Sequence, residues 1–154
     1  MKALKLVNRS AAFLSSVVVL MGSVSLLAQR PAIAQSAEWT KITENSVKDR
    51  FFVDTSSIQR DGAIAWYWEY REFPEANNAL LEAKVDQPVH GAVMRWSVDC
   101  STQSQRLRKL NAYTTNRKLI QKFEYGDTGM MLQPKAGSST YKVMDYVCRS
   151  QQKK

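Results

Sequence analysis

The chain has 154 residues and a formal net charge of +8. Four of the positive charges, Lys2, Lys5, Arg9 and Arg30, lie in the first 34 residues, which hold no acid, so the remainder carries +4. That is an ordinary excess for a soluble domain and does not mark a nucleic-acid binder.

Lys2, Lys5 and Arg9 precede an uncharged apolar run at residues 11–27, and Ala32-Ile33-Ala34 closes it with small side chains. This is the three-part layout of a secretory signal peptide cleaved after Ala34. The competing reading is a retained anchor, for which the run is slightly short; no other stretch has the length to span a bilayer. We read residues 1–34 as the signal peptide and 35–154 as one domain. Removing 34 residues from 154 leaves 120, enough for one domain to bury roughly two-thirds of its unfolded-chain surface. The expected address is exported: periplasm, cell surface or medium. In an exported chain two cysteines, Cys100 and Cys148, imply one disulfide. A redox pair would call for a CxxC spacing that is not there.

In chain order, residues 38–42 predict a first strand with Trp39 packed inward. Residues 50–54 predict a short strand ended by a turn at Thr55-Ser56-Ser57, where Asp54 caps local backbone in preference to acting as an acid catalyst. Asp61-Gly62 signals a hairpin, because glycine accepts the positive φ of a two-residue turn. The strand that leaves it, residues 63–72, places Ile64, Trp66, Trp68 and Tyr70 on one face. This aromatic ladder reads as core, since aromatic side chains dominate small sheet cores through the area they bury. The competing reading is a sugar-stacking platform on an exposed sheet.

Pro74 and Pro88 bracket residues 75–84, which predict a short helix or an excursion between strands. Such connections often carry binding sites, although variable surface padding is commoner. His90, the sole histidine, reads as a surface or turn residue. Ala92, Met94, Trp96, Val98 and Cys100 then share one face of an extended chain while Val93, Arg95, Ser97 and Asp99 share the other, the pattern of a strand with one buried side.

Residues 106–113 and 118–125 predict two paired strands about a turn at 114–117. They gather Arg106, Arg108, Lys109, Arg117, Lys118 and Lys122 on one hairpin, and these six are the candidate binding residues. The patch reads as a solvated edge guarded against sheet-to-sheet aggregation, or as a contact for an anion or matrix partner. Residues 126–139 read as a loop with Met130 and Met131 as apolar plugs. Ser138 or Ser139 then caps a helix in which Tyr141, Met144, Val147 and Cys148 form one buried stripe. The expected fold is α+β: an antiparallel sheet of five or six strands, with a C-terminal helix packed on it and tied by Cys100–Cys148.

Recognisable chemistry is missing. One histidine and two bridged cysteines supply no zinc or iron ligand set. No P-loop, GxGxxG, GxSxG or HExxH occurs, and no carboxylate pair among Asp54, Glu69, Glu72 and Asp99 is singled out for acid–base work. The expectation is a non-enzyme without cofactor, metal or nucleic-acid partner.

The order Trp39-Thr40-Lys41, Phe51-Phe52-Val53-Asp54 with Ser57-Ile58, Asp61-Gly62, Ala65-Trp66-Tyr67-Trp68, Ser97-Val98-Asp99-Cys100, Ala136-Gly137-Ser138-Ser139 and Val147-Cys148 resembles the surface-adhesin protein E family over nearly the whole of residues 35–154. The resemblance implies an antiparallel sheet with a disulfide-fixed terminal helix. It also implies an exported, non-enzymatic protein whose relatives bind matrix proteins such as laminin and vitronectin, with a homodimer as an option. The leader departs from a lipoprotein pattern, having no cysteine near its cleavage site, and no binding residue carries over by motif. The expected function is an exported binding or adhesion module of the cell envelope or surface, contacting matrix proteins or anionic polymers. The alternative is a structural or assembly partner in the envelope, using its apolar sheet or a strand edge. A third option, a small envelope-polymer hydrolase, would need Asp54 or Glu69.

Overall fold

The computed structural model describes residues 37–79, 81 and 85–150, so the signal-peptide reading at residues 1–34 lies outside the described residues. Six strands follow one another across an antiparallel sheet in sequence order: β1 (Trp39–Glu44), β2 (Arg50–Asp61), β3 (Ile64–Glu72), β4 (Gly91–Asp99), β5 (Ser104–Tyr113) and β6 (Leu119–Glu124). A two-residue β7 (Met131–Leu132) pairs with β5, and α1 (Ser139–Arg149) closes the chain.

Between β2 and β3, Gly62 takes φ +57° at the expected hairpin. β2 is longer than its sequence predicts. The polar run after Asp54 ends no strand; it is absorbed by a register shift between Asp54 and Gln59. There the Ser57 hydroxyl donates to the Asp54 carbonyl (2.7 Å) and accepts from the Trp68 amide (2.9 Å), filling a rung the ladder lacks. Asp54 is the local cap that was expected, accepting from the Ser56 amide (3.1 Å) and hydroxyl (2.6 Å) and the Glu38 amide (2.9 Å).

One face of the sheet is the core. Ala92, Met94, Trp96 and Val98 of β4 are buried as their alternation predicts, together with Phe51, Val53, Leu107, Leu110 and Ala112 from neighbouring strands. Helix α1 packs against β1, β2 and β3 and buries Val143, Met144 and Val147. Its N-cap is Ser138, whose Oγ accepts from the Tyr141 amide at 3.1 Å. Cys148 bonds Cys100. The loop it closes has a sequence separation of 48, for which the chain-entropy account gives about 4 kcal/mol.

The described part of the β3–β4 connection is an excursion with no helix. Phe73 and Val89 are buried in the core and Leu81 and Val85 pack on it, so this segment is more than padding. The loop after β6 has its own correction. Met131 is 55% exposed and plugs nothing, because β7 carries it along the sheet edge opposite Arg106.

Candidate functional site

The register decides which side chains reach solvent. Tyr67 lies opposite Trp96 and Glu69 opposite Met94, so the odd residues of β3 join the helix-covered face. Ile64, Trp66, Trp68 and Tyr70 therefore sit half-buried on the other face, and the expectation that this ladder is core is overturned. Trp39 is corrected in the same way: it faces Asp54 and Trp68 across the open side and is 40% exposed.

The sequence disfavours this choice on hydrophobicity alone, since it buries Glu69 and Arg71. The two side chains resolve the conflict between themselves. Arg71 donates to both Glu69 oxygens, at 2.6 and 3.3 Å, and its guanidinium lies 5.0 Å from the Phe51 ring centre and 6.0 Å from that of Trp96. At spacing i, i+2 the opposite charges share a face and can neutralise each other. That was the legible signal. Beside them Tyr67 donates to Gln105 Oε1 (3.1 Å), and burial, reinforced by the negative charge of Glu69, pushes its hydroxyl well above the ordinary 10.

Among the described residues the face opposite α1 carries no α-helix, and this helix-free face divides into two halves. In one, Arg108 stacks 4.8 Å over Trp66 and Arg95 5.6 Å over Trp68, so both indoles are covered by cations. Burial lowers the Arg95 proton affinity, an effect that nearby Asp54 opposes. In the other half the rings are open. Trp39 meets Tyr70 edge-on (5.9 Å, 65°) and Phe52 lies more nearly parallel to it (5.7 Å, 28°). With Val93, Tyr113, Glu72 and Arg117 they line a concavity of about 340 Å³. Gly91 lets the Tyr70 ring lie close against the start of β4, since a Cβ there would stand 3.2 Å from it. Burial, then the charge of Glu72, raises the Tyr70 hydroxyl above its ordinary 10.

The six hairpin cations separate into two groups. Arg106 donates to the Gly129 carbonyl (2.9 Å); Arg108 donates to Ser97 Oγ (2.8 Å) and the Gly126 carbonyl (3.0 Å) and pairs with Asp127; Lys109 pairs with Glu124 (2.8 Å). Arg117, Lys118 and Lys122 are exposed and make no ion pair among the described residues. Arg117 stands at the β5–β6 turn with φ +58°, a backbone region that favours glycine or asparagine. Arg95 lies on this face as the alternation of β4 predicts; Phe52 and Tyr113 are the open-face residues that the strand patterns did not place there.

Among the described residues, no group of three or more His, Cys, Asp or Glu side chains is placed to hold a metal, and no helix is long and apolar enough to cross a membrane. One face of the sheet is thus covered by a disulfide-tethered helix, and the other presents aromatic and basic side chains. The chain matches the family described as surface-adhesin protein E over residues 39–149 and belongs to that family. The family is one of adhesins, which agrees with the motif order and gives the chain a surface-adhesin-like character. Among solved structures it is similar to crystal form II of Haemophilus influenzae protein E, at 10% identity and TM-score 0.50, covering 77% of this chain and 91% of that one. A crystal structure of protein E from non-typeable Haemophilus influenzae is similar at 12% identity and TM-score 0.48, covering 77% of this chain and 79% of that one. At such identities the likeness is one of fold. No curated protein matches the chain.

Proposed function

We propose that the domain, exported and freed of residues 1–34, is a non-enzymatic binding module of the cell envelope or surface that contacts a matrix protein or anionic polymer through the helix-free face of its sheet. The observation that carries this reading is the open aromatic corner beside cations without ion pairs among the described residues. Large rings that stay half-exposed on one face of a small domain supply contact area, and the cations beside them favour an anionic partner and speed its encounter. The hairpin patch thereby narrows to Arg117, Lys118 and Lys122, since Arg106, Arg108 and Lys109 hold the fold's own carbonyls and carboxylates.

The test is the affinity of the oxidised domain, from Gln35 onward, for immobilised laminin and vitronectin at low and physiological salt. Saturable binding that persists at about 0.15 M salt is expected. Neutralising Arg117, Lys118 and Lys122 should slow association and flatten its salt dependence, while Trp39→Gln should speed dissociation. Binding unchanged in both variants would remove this face from the account. Absence of binding would turn the reading to a structural partner within the envelope.

A further inference from the structure

The helix-free face supports a more specific reading, which rests on that face being the contact surface. We infer that the corner formed by Trp39, Phe52, Tyr70 and Tyr113 is a subsite for a sugar ring bearing a carboxylate, with Arg117 as the group that holds the acid. Three observations converge on it.

The first is shape. The volume of about 340 Å³ lies at the small end of the ~300–1,000 Å³ usual for ligand sites, which suits one or two sugar rings and not an extended macrocycle. Trp39 meets Tyr70 at 65° and Phe52 meets it at 28°, so the rings make a corner and not a parallel slot. A flat fused ring can stack on one wall of a corner and leaves the other empty. A chair-shaped pyranose is thick enough to lay its C–H face on one ring and its edge on the other.

The second is charge. Glu72 is neutralised by Arg50 at 2.9 Å, while Arg117 makes no ion pair among the described residues. The corner therefore presents one uncompensated cation at its rim, and a guanidinium fork matches a carboxylate in bidentate geometry.

The third is the neighbouring recess. Tyr70, Glu72 and Arg117 also wall a smaller hollow of about 180 Å³, lined further by Arg50, His90, Thr114 and Thr115 and, on its apolar side, by Phe73 and Pro74. His90 Nδ1 faces the Phe73 carbonyl at 3.0 Å and must donate to it, which leaves Nε2 as an acceptor in the neutral ring. This recess can pair with hydroxyls. An aromatic corner and a hollow with hydroxyl and imidazole groups in its wall, sharing one arginine, match a saccharide that is apolar on its face, hydroxylated at its rim and acidic at one carbon.

The position of Arg117 makes the test sharp. At φ +58° glycine fits that backbone better than arginine, so Arg117→Gly should leave the fold as stable or more so. The probes are a hyaluronan tetrasaccharide and 3′-sialyllactose, both carboxylated and unsulfated, against neutral lactose and against 2-naphthoate as a flat aromatic anion. They are titrated at physiological salt, following tryptophan fluorescence and amide shifts. One or both acidic sugars should bind at least ~10-fold more tightly than lactose and 2-naphthoate. Arg117→Gly should abolish that preference without lowering Tm, Arg117→Lys should keep part of it, and Phe52→Ala should weaken acidic and neutral sugars alike. The inference is overturned if neither acidic sugar binds, if lactose or 2-naphthoate binds as well, or if Arg117→Gly leaves affinity unchanged. A domain that captures laminin or vitronectin through this face yet ignores every saccharide would sink the sugar subsite and leave the broader reading standing.

Discussion

Breaking the Glu69–Arg71 pair should be among the most damaging single changes in the core. Both side chains are almost fully buried, and removing either partner strands the other charge, a loss of about 3–5 kcal/mol. Replacing both, as in Glu69→Met with Arg71→Leu, removes the stranded charge and should recover most of that in urea unfolding. Tyr67 adds a pH signature. Its folded proton affinity is raised, so the stability it contributes is complete below its ordinary 10 and is lost as pH rises through the folded value. Tyr67→Phe should flatten the alkaline limb of an unfolding profile. Asp99 has the opposite sign: hydrogen bonds from the Ser101 hydroxyl and amide hold it below 3.8. Its contribution is present above 3.8 and lost as pH falls through the folded value, so Asp99→Asn should flatten the acid limb.

At the scale of elements, the segment before β7 is held tightly against β5. Gly129 lies so close to β5 that a Cβ would stand 1.8 Å from the Leu107 carbonyl oxygen. Gly129→Ala must push the segment off the strand and break the Leu107 amide to Met130 carbonyl bond (2.9 Å); a fall in Tm with altered amide shifts at residues 106–108 and 129–131 would show it. Helix α1 is legible from its stripe and its serine cap, and Ser138→Ala should cost about 1 kcal/mol. The strand boundaries were less legible. The end of β2 is obscured because a serine hydroxyl, and not a turn, bridges the register shift after Asp54.

For the whole molecule, the six-strand meander makes its pairings between sequence neighbours, and the contacts between α1 and β1 through β3 are long-range. The Cys100–Cys148 bridge holds that distant closure in place. Replacing both cysteines by alanine should lower stability by about 4 kcal/mol. Hydrogen exchange should then show α1 amides exchanging faster relative to β3 and β4 than in the oxidised domain.

The two cysteines, the alternation of β4 and the period of α1 were enough to place a helix on one face of an antiparallel sheet, and the ordered motifs pointed to the family. The alternation and the helical period are local, set by spacings of two and of three to four residues that no partner strand alters, and the pairing of two cysteines needs only that the chain holds no third. Which face of β3 is buried is not local. Both faces carry aromatic area, and the choice falls to register: pairing Tyr67 with Trp96 joins the odd residues to the one continuous apolar surface that α1 and Cys100 can close. The even residues, and with them Trp39 and Phe52, are thereby turned outward. The candidate site follows from that pairing, because a single strand can show what alternates but only its neighbours decide which side faces water.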